Sequence, residues 1–159
     1  MKMTAPMEVG LTVRDLAVMR AFYEAALGFT FVSQHHVPPA KAQEAAMSAG
    51  GYTVVRLQTP YGERVKLLAP DNVPAARGEA SERILDRVEA SYLTFIVDDI
   101  EGVVARLIAG GAEPMTGEKA VEVRPGTFLA FLRDPEGHIV EIVQYSDIAA
   151  YRPDLQAAK

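Results

Sequence analysis

A strand-then-helix segment near the start of the chain is written a second time 84 residues later (97 − 13). Met7, Val9, Leu11 and Val13 alternate with Glu8, Gly10 and Thr12, which is the period of a half-buried strand. Asp15 follows in an N-cap position. Leu16, Met19, Phe22, Tyr23, Ala26 and Leu27 then recur at helical spacing, and Gly28 is a stop signal. The second copy runs Leu93-Thr94-Phe95-Ile96-Val97-Asp98-Asp99. It continues through Ile100, Val103, Val104, Leu107 and Ile108 to Gly110-Gly111. In register, Val13 matches Val97, Asp15 matches Asp99, Leu16 matches Ile100 and Met19 matches Val103.

A second repeat lies downstream at a separation of 75 (137 − 62): Thr59-Pro60-Tyr61-Gly62 and the segment to Leu68, against Asp134-Pro135-Glu136-Gly137 and the segment to Val143. Each opens with Pro at the second and Gly at the fourth position of a turn, a type I signature leading into a strand. The separations differ by nine (84 − 75), which locates an insertion in the first copy at residues 34–50. The chain therefore reads as one domain, 1–159. A strand–helix–three-strand module spans 7–69 and its repeat 91–145, with a Pro- and Ala-rich joint at 70–90 and a tail at 146–159. Neither module is large enough to bury its sheet alone, so the two are expected to fold as one domain.

Composition narrows the function. At 49% apolar and 23% charged residues the chain has the make-up of an ordinary globular protein. It has no cysteine, which excludes disulfides, thiolate nucleophiles, iron–sulfur clusters and cysteine zinc sites. A net charge of −5 with scattered basic residues argues against nucleic acid as a partner. The N-terminus lacks a signal-peptide core, and no apolar run approaches the roughly 20 residues of a membrane span, so the expectation is a cytoplasmic protein with no membrane partner.

The duplicated unit resembles the vicinal oxygen chelate superfamily of glyoxalases, bleomycin-resistance proteins, extradiol dioxygenases and epimerases. The most specific matches are the segments Val9–Leu16, Phe22-Tyr23, Leu27-Gly28-Phe29, Phe95–Ile100 and Asp134–Ile142. The resemblance implies an α+β fold in which two βαβββ modules form a curved, mostly antiparallel sheet around a central cup. It also implies a homodimer and a small-molecule ligand. Metal-dependent members place His, Glu or Gln at four strand positions, which correspond here to Glu8, Lys66, Tyr92 and Glu141. The repeat pairs the same positions, Glu8 with Tyr92 at 84 and Lys66 with Glu141 at 75.

Lysine at one of these positions is the informative departure. A charged ammonium has no lone pair to give, and at about 4 Å it repels a dication by roughly 8 kcal/mol at an effective dielectric of 20. The preferred reading is therefore a cup with no metal and no other cofactor. In it Glu8 and Glu141 are the candidate acid–base residues, and Lys66, Tyr92, Thr12, Arg64, Thr94 and Phe128 contact the ligand. Such a protein binds a polar metabolite or transfers a proton in the manner of an isomerase or lyase. The alternative is a metal-dependent enzyme like glyoxalase I (lactoylglutathione lyase) or an epimerase, with Glu8 and Glu141 ligating zinc, nickel, manganese or iron. A structural ion cluster of Glu8, Lys66 and Glu141, or a protein-binding module with a vestigial cup, are the bland readings.

Other features carry less. His35 and His36 are neighbours on a strand and face opposite ways, so they cannot share an ion. His138 reads as a turn residue. Phe22, Tyr23, Phe29 and Phe31 read as core. Phe128 and Phe131 sit on one strand three residues apart, and register decides which faces the cup. Gly50-Gly51 reads as a hairpin turn. The 34–50 insertion reads as a lid or a short helix, and the tail as an arm or a frayed end.

Overall fold

The computed structural model describes residues 3–76, 78, 83–86, 88 and 90–155. Its first strand, β1 (Glu8–Thr12), and the helix behind it, α1 (Leu16–Leu27), are joined by the N-cap read from the sequence. The Asp15 carboxylate accepts the N–H groups of Ala17 and Val18, two of the donors that a helix start leaves without partners. Gly28 ends α1 in the left-handed conformation, φ 68°, which a side chain would resist. β2 (Thr30–Val37), α2 (Pro39–Glu44), β3 (Tyr52–Gln58) and β4 (Arg64–Pro70) complete the first module. The sheet order is β1-β4-β3-β2, with β1 parallel to β4 and the remaining pairs antiparallel.

Alternation sorts the two faces of this sheet. Leu11, Val55, Leu57, Val65 and Leu67 are buried, as are Met19, Phe22, Tyr23 and Ala26 of α1, which packs on β3 and β4. Tyr23 is held edge-on by Phe22 and stacked on Phe29. Phe31 does not join this core. It is 46% exposed on the edge strand beside a register shift, with the Arg20 guanidinium 4.4 Å above its ring.

The second module repeats the plan with β5 (Tyr92–Ile96), α3 (Ile100–Ala109), β6 (Glu113–Pro114), β7 (Val121–Arg124), β8 (Thr127–Arg133) and β9 (Ile139–Tyr145). Its order is β5-β9-β8-β6, with β7 also paired to β8. Again the outer strand, β5, is parallel to its neighbour, β9. The α+β class follows the sequence reading; the first unit has the expected strand–helix–three-strand order, whereas the second has four strands after its helix, with β6 and β7 both paired to β8. The chain separates into two compact units, one of residues 1–81 with the turn 135–137, the other of residues 82–134 and 138–159.

The insertion holds α2, a helix of six residues with Pro39 in its first turn, so the connection from β2 to β3 runs over residues 38–51. Gly50-Gly51 is therefore the end of a long connection rather than a hairpin turn. A Cβ at Gly51 would lie 2.5 Å from the Asp71 carboxylate and 2.8 Å from the His36 ring, so these two side chains would have to shift to admit one. In the tail, α4 (Ile148–Tyr151) folds back so that Tyr151 stacks on Tyr145 with ring centroids 3.8 Å apart. Among the described residues of the joint, Ile84–Asp86 form a 3-10 turn, with Leu85 and Val88 exposed. Among the described residues no helix is long and apolar enough to cross a membrane.

Candidate functional site

In the first unit, the face of the sheet turned away from α1 is polar because of where alternation puts the charged residues. Glu8, Gly10 and Thr12 share that face of β1. In register with them, β4 brings Arg64 beside Glu8 and Lys66 beside Gly10, and β3 brings Arg56 opposite Lys66 and Gln58 opposite Arg64. Gly10 adds no side chain, so the Glu8 carboxylate and the cations meet across the gap. Arg64 Nη1 lies 3.6 Å, Lys66 Nζ 3.8 Å and Arg56 Nε 3.9 Å from Glu8 oxygens. Three cations around one carboxylate leave a surplus of two positive charges (3 − 1).

Two further groups hold the arginines. Arg64 Nε donates to Gln58 Oε1 at 3.1 Å. Arg56 Nη1 donates to His35 Nδ1 at 3.2 Å, and because a guanidinium has only donors the imidazole nitrogen must accept. His36 points the other way, to the Asp71 carboxylate at 3.0 Å, so the two histidines do not converge. Thr12 stands on the polar face at the far end of β1, opposite Leu68.

In the second unit, Tyr92, Thr94, Phe131 and Glu141 lie together. Thr94 and Phe131 are the cross-strand neighbours of Glu141, and the Thr94 hydroxyl donates to the Glu141 carboxylate at 2.5 Å. Tyr92 meets Phe131 edge to face at 5.2 Å. Phe128 is on the opposite face of β8. It pairs with Gln144, whose side-chain oxygen caps α3 by accepting the Ile100 N–H, and it shares its side with buried Ala130 and Leu132. The aromatic beside Glu141 is thus Phe131, and the expectation for Phe128 is corrected by a register that sequence alone did not supply. His138 is bound by Asp134 of its own turn, Nδ1 to Oδ2 at 2.9 Å.

Arg56 was not singled out from the sequence, and His35 was read only as unable to share an ion with His36. The available signal was Arg56 and Gln58 alternating with apolar Val55 and Leu57, which sets an arginine on the same face as Lys66 once β3 and β4 are paired.

These groups do not suit a divalent metal. A dication bound at Glu8 would face all three cations, each repelling it by roughly 8 kcal/mol at about 4 Å and an effective dielectric of 20. The second unit offers Glu141 with a hydroxyl, a phenol and a phenyl ring. Among the described residues no three His, Asp or Glu side chains cluster as a metal site.

At the other end of β9 an open groove of about 480 Å³ is lined by Arg124, Thr127, Tyr145, Asp147 and Tyr151, among others. Burial, and then a hydrogen bond with the Tyr151 hydroxyl, push the Tyr145 phenol up to about 12.

A family model described as the Glyoxalase/Bleomycin resistance protein/Dioxygenase superfamily matches residues 6–142. Solved structures share the fold at low identity. A glyoxalase family protein from Bacillus cereus is 22% identical, with 91% of this chain and 95% of that one covered and a TM-score of 0.73. A glyoxylase/bleomycin resistance protein/dioxygenase domain from Frankia sp. is 19% identical, covering 92% and 95%, with a TM-score of 0.67. An integron cassette protein from V. cholerae is 24% identical, covering 92% and 98%, with a TM-score of 0.55. No curated protein matches the sequence.

Proposed function

The chain belongs to the glyoxalase/bleomycin resistance protein/dioxygenase superfamily, and on that premise we propose that it is a small-molecule protein that binds a polar metabolite without a metal. One observation carries the reading: Glu8, at a position where metal-dependent relatives keep a ligand, is surrounded by Arg56, Arg64 and Lys66. Those cations do electrostatically what a metal does, preventing an uncompensated carboxylate, and they leave donors for an organic ligand. The proposal includes a homodimer in the cytoplasm.

Two measurements test it together. Elemental analysis of protein purified without chelator is expected to show no stoichiometric zinc, nickel, manganese or iron. A thermal-shift screen of polar metabolites is expected to show ligands that raise the melting temperature of the wild type and lose that effect in Arg56→Gln. A stoichiometric metal overturns the first part and a blank screen the second.

A second reading, proton transfer, is favoured by the Thr94–Glu141 pair. The hydroxyl orients the carboxylate, and the Tyr92 phenol on the same strand face supplies a donor for a developing enolate. A bound carbonyl ligand incubated in D2O is then expected to exchange its α-hydrogen, and Glu141→Gln to stop the exchange without abolishing binding. Binding with no exchange restricts the protein to a sequestering role.

A further inference from the structure

From the first unit's polar face we infer the class of the ligand: Arg56, Arg64 and Lys66 form a receptor for a compact dianionic head group, the phosphate monoester of a small metabolite. The inference rests on the small-molecule reading above and adds to it the charge and shape of the group recognised.

The charge count comes first. The face carries three cations and one anion, and no other ion pair of these four side chains is found among the described residues, so a ligand of charge −2 brings the cluster to neutrality (3 − 1 − 2 = 0). A monoanion leaves one positive charge uncompensated.

Donor availability comes second. Every contact with Glu8 is 3.6 Å or longer, beyond a hydrogen bond, so Glu8 holds the cations in place without using their N–H groups. Arg56 spends Nη1 on His35 and Arg64 spends Nε on Gln58. The remaining guanidinium N–H groups and the whole Lys66 ammonium have no hydrogen-bond partner among the described residues. The two arginines are fixed by these lateral bonds, which lowers the ordering cost of binding.

Shape comes third. All three cations lie within 4 Å of one carboxylate, and they rise from adjacent strands about 4.8 Å apart, so they converge on one small volume. A phosphoryl group has three terminal oxygens within one such volume and can meet three donors together. A dicarboxylate spreads the same charge over a longer span than one such volume. The side chains are between 28% and 38% exposed, so the face is open to a ligand without rearrangement of the sheet.

Glu8 repels the dianion, and this gives the inference its sharpest consequence. Removing that charge while keeping the shape, Glu8→Gln, is expected to tighten binding. A metal ligand would respond in the opposite direction.

The test is calorimetric titration of the intact protein at pH 8 and low salt with phenyl phosphate and phenyl sulfate, which share an aryl group and a tetrahedral head but carry about two charges and one. Phenyl phosphate is expected to bind at least about tenfold more tightly, a difference of about 1.4 kcal/mol. Lys66→Gln and Arg56→Gln are expected to remove that preference, and Glu8→Gln to increase phosphate affinity by about tenfold. Equal binding of the two esters, or a preference that survives both cation substitutions, overturns the inference, as does weaker phosphate binding by Glu8→Gln with an unchanged circular dichroism spectrum. The outcomes separate the two readings. Metabolites that bind with no preference for a dianion refute this inference alone, whereas a blank metabolite screen refutes the small-molecule reading beneath it.

Discussion

Glu8→Gln is expected to destabilise the fold while improving the site. The carboxylate lies 3.6, 3.8 and 3.9 Å from three cations, and a pair at about 4 Å is worth about 1 kcal/mol in bulk water and about 4 kcal/mol at an effective dielectric of 20. The groups are near one-third exposed, which brings each contribution to the upper part of the measured range for exposed pairs, about 0.5–1 kcal/mol. Glutamine keeps the shape and removes the charge, so the three contributions are lost together and the cations are left repelling one another. The net cost is about 2 kcal/mol at low ionic strength. Salt shortens the Debye length from about 10 Å at 0.1 M to about 3 Å at 1 M, so the cost should shrink to less than half at 1 M sodium chloride. Urea denaturation of both proteins at 0.02 M and 1 M salt measures it. A variant as stable as the wild type at low salt, or a deficit unaffected by salt, would refute the electrostatic account of this face.

Three further outcomes follow from the same structure. Lys66→Gln alone is expected not to create a zinc site, because Arg56 and Arg64 still outnumber Glu8; equilibrium dialysis showing one tightly bound zinc per chain would contradict this. Asp15→Ala removes the acceptor for two N–H groups of α1 and should cost about 1 kcal/mol, read as a shift of the urea midpoint with unchanged slope. In an alkaline titration followed by tyrosinate absorbance, Tyr145 should ionise near 12, and Tyr145→Phe should delete that late step. Because its folded value lies above the ordinary 10, the stabilisation from this phenol is complete below pH 10 and lost as pH rises through about 12, so the urea midpoint should fall more steeply with pH across that window in wild type than in Tyr145→Phe.

The helix starts and turns were legible because each is local chemistry. Asp15 and Asp99 both cap helices as their positions demanded, and the Thr59–Gly62 turn closes with the Gly62 N–H on the Thr59 carbonyl at 3.1 Å. Arg56 and the orientation of Phe128 were not legible, because each depends on which residue of a neighbouring strand stands opposite, a long-range choice that alternation within one strand leaves open. Yet the internal repeat held more of that information than a residue-by-residue reading extracts. The 75-residue offset pairs Val65 with Val140, Leu57 with Leu132 and Leu67 with Ile142, and all six are buried. The same offset pairs Arg56 with Phe131 and Lys66 with Glu141, and the 84-residue offset pairs Glu8 with Tyr92 and Gly10 with Thr94. Packing constrains the helix-facing positions to the same kind of residue in both copies, because a charge there would be buried without a partner. On the opposite face that constraint is absent, and the two copies carry different chemistries, a basic cluster in one unit and an aromatic pair beside a carboxylate in the other. In a duplicated fold, the strand positions where the copies disagree in charge are therefore the place to look for the site, and Arg56 is found by that criterion without a structure.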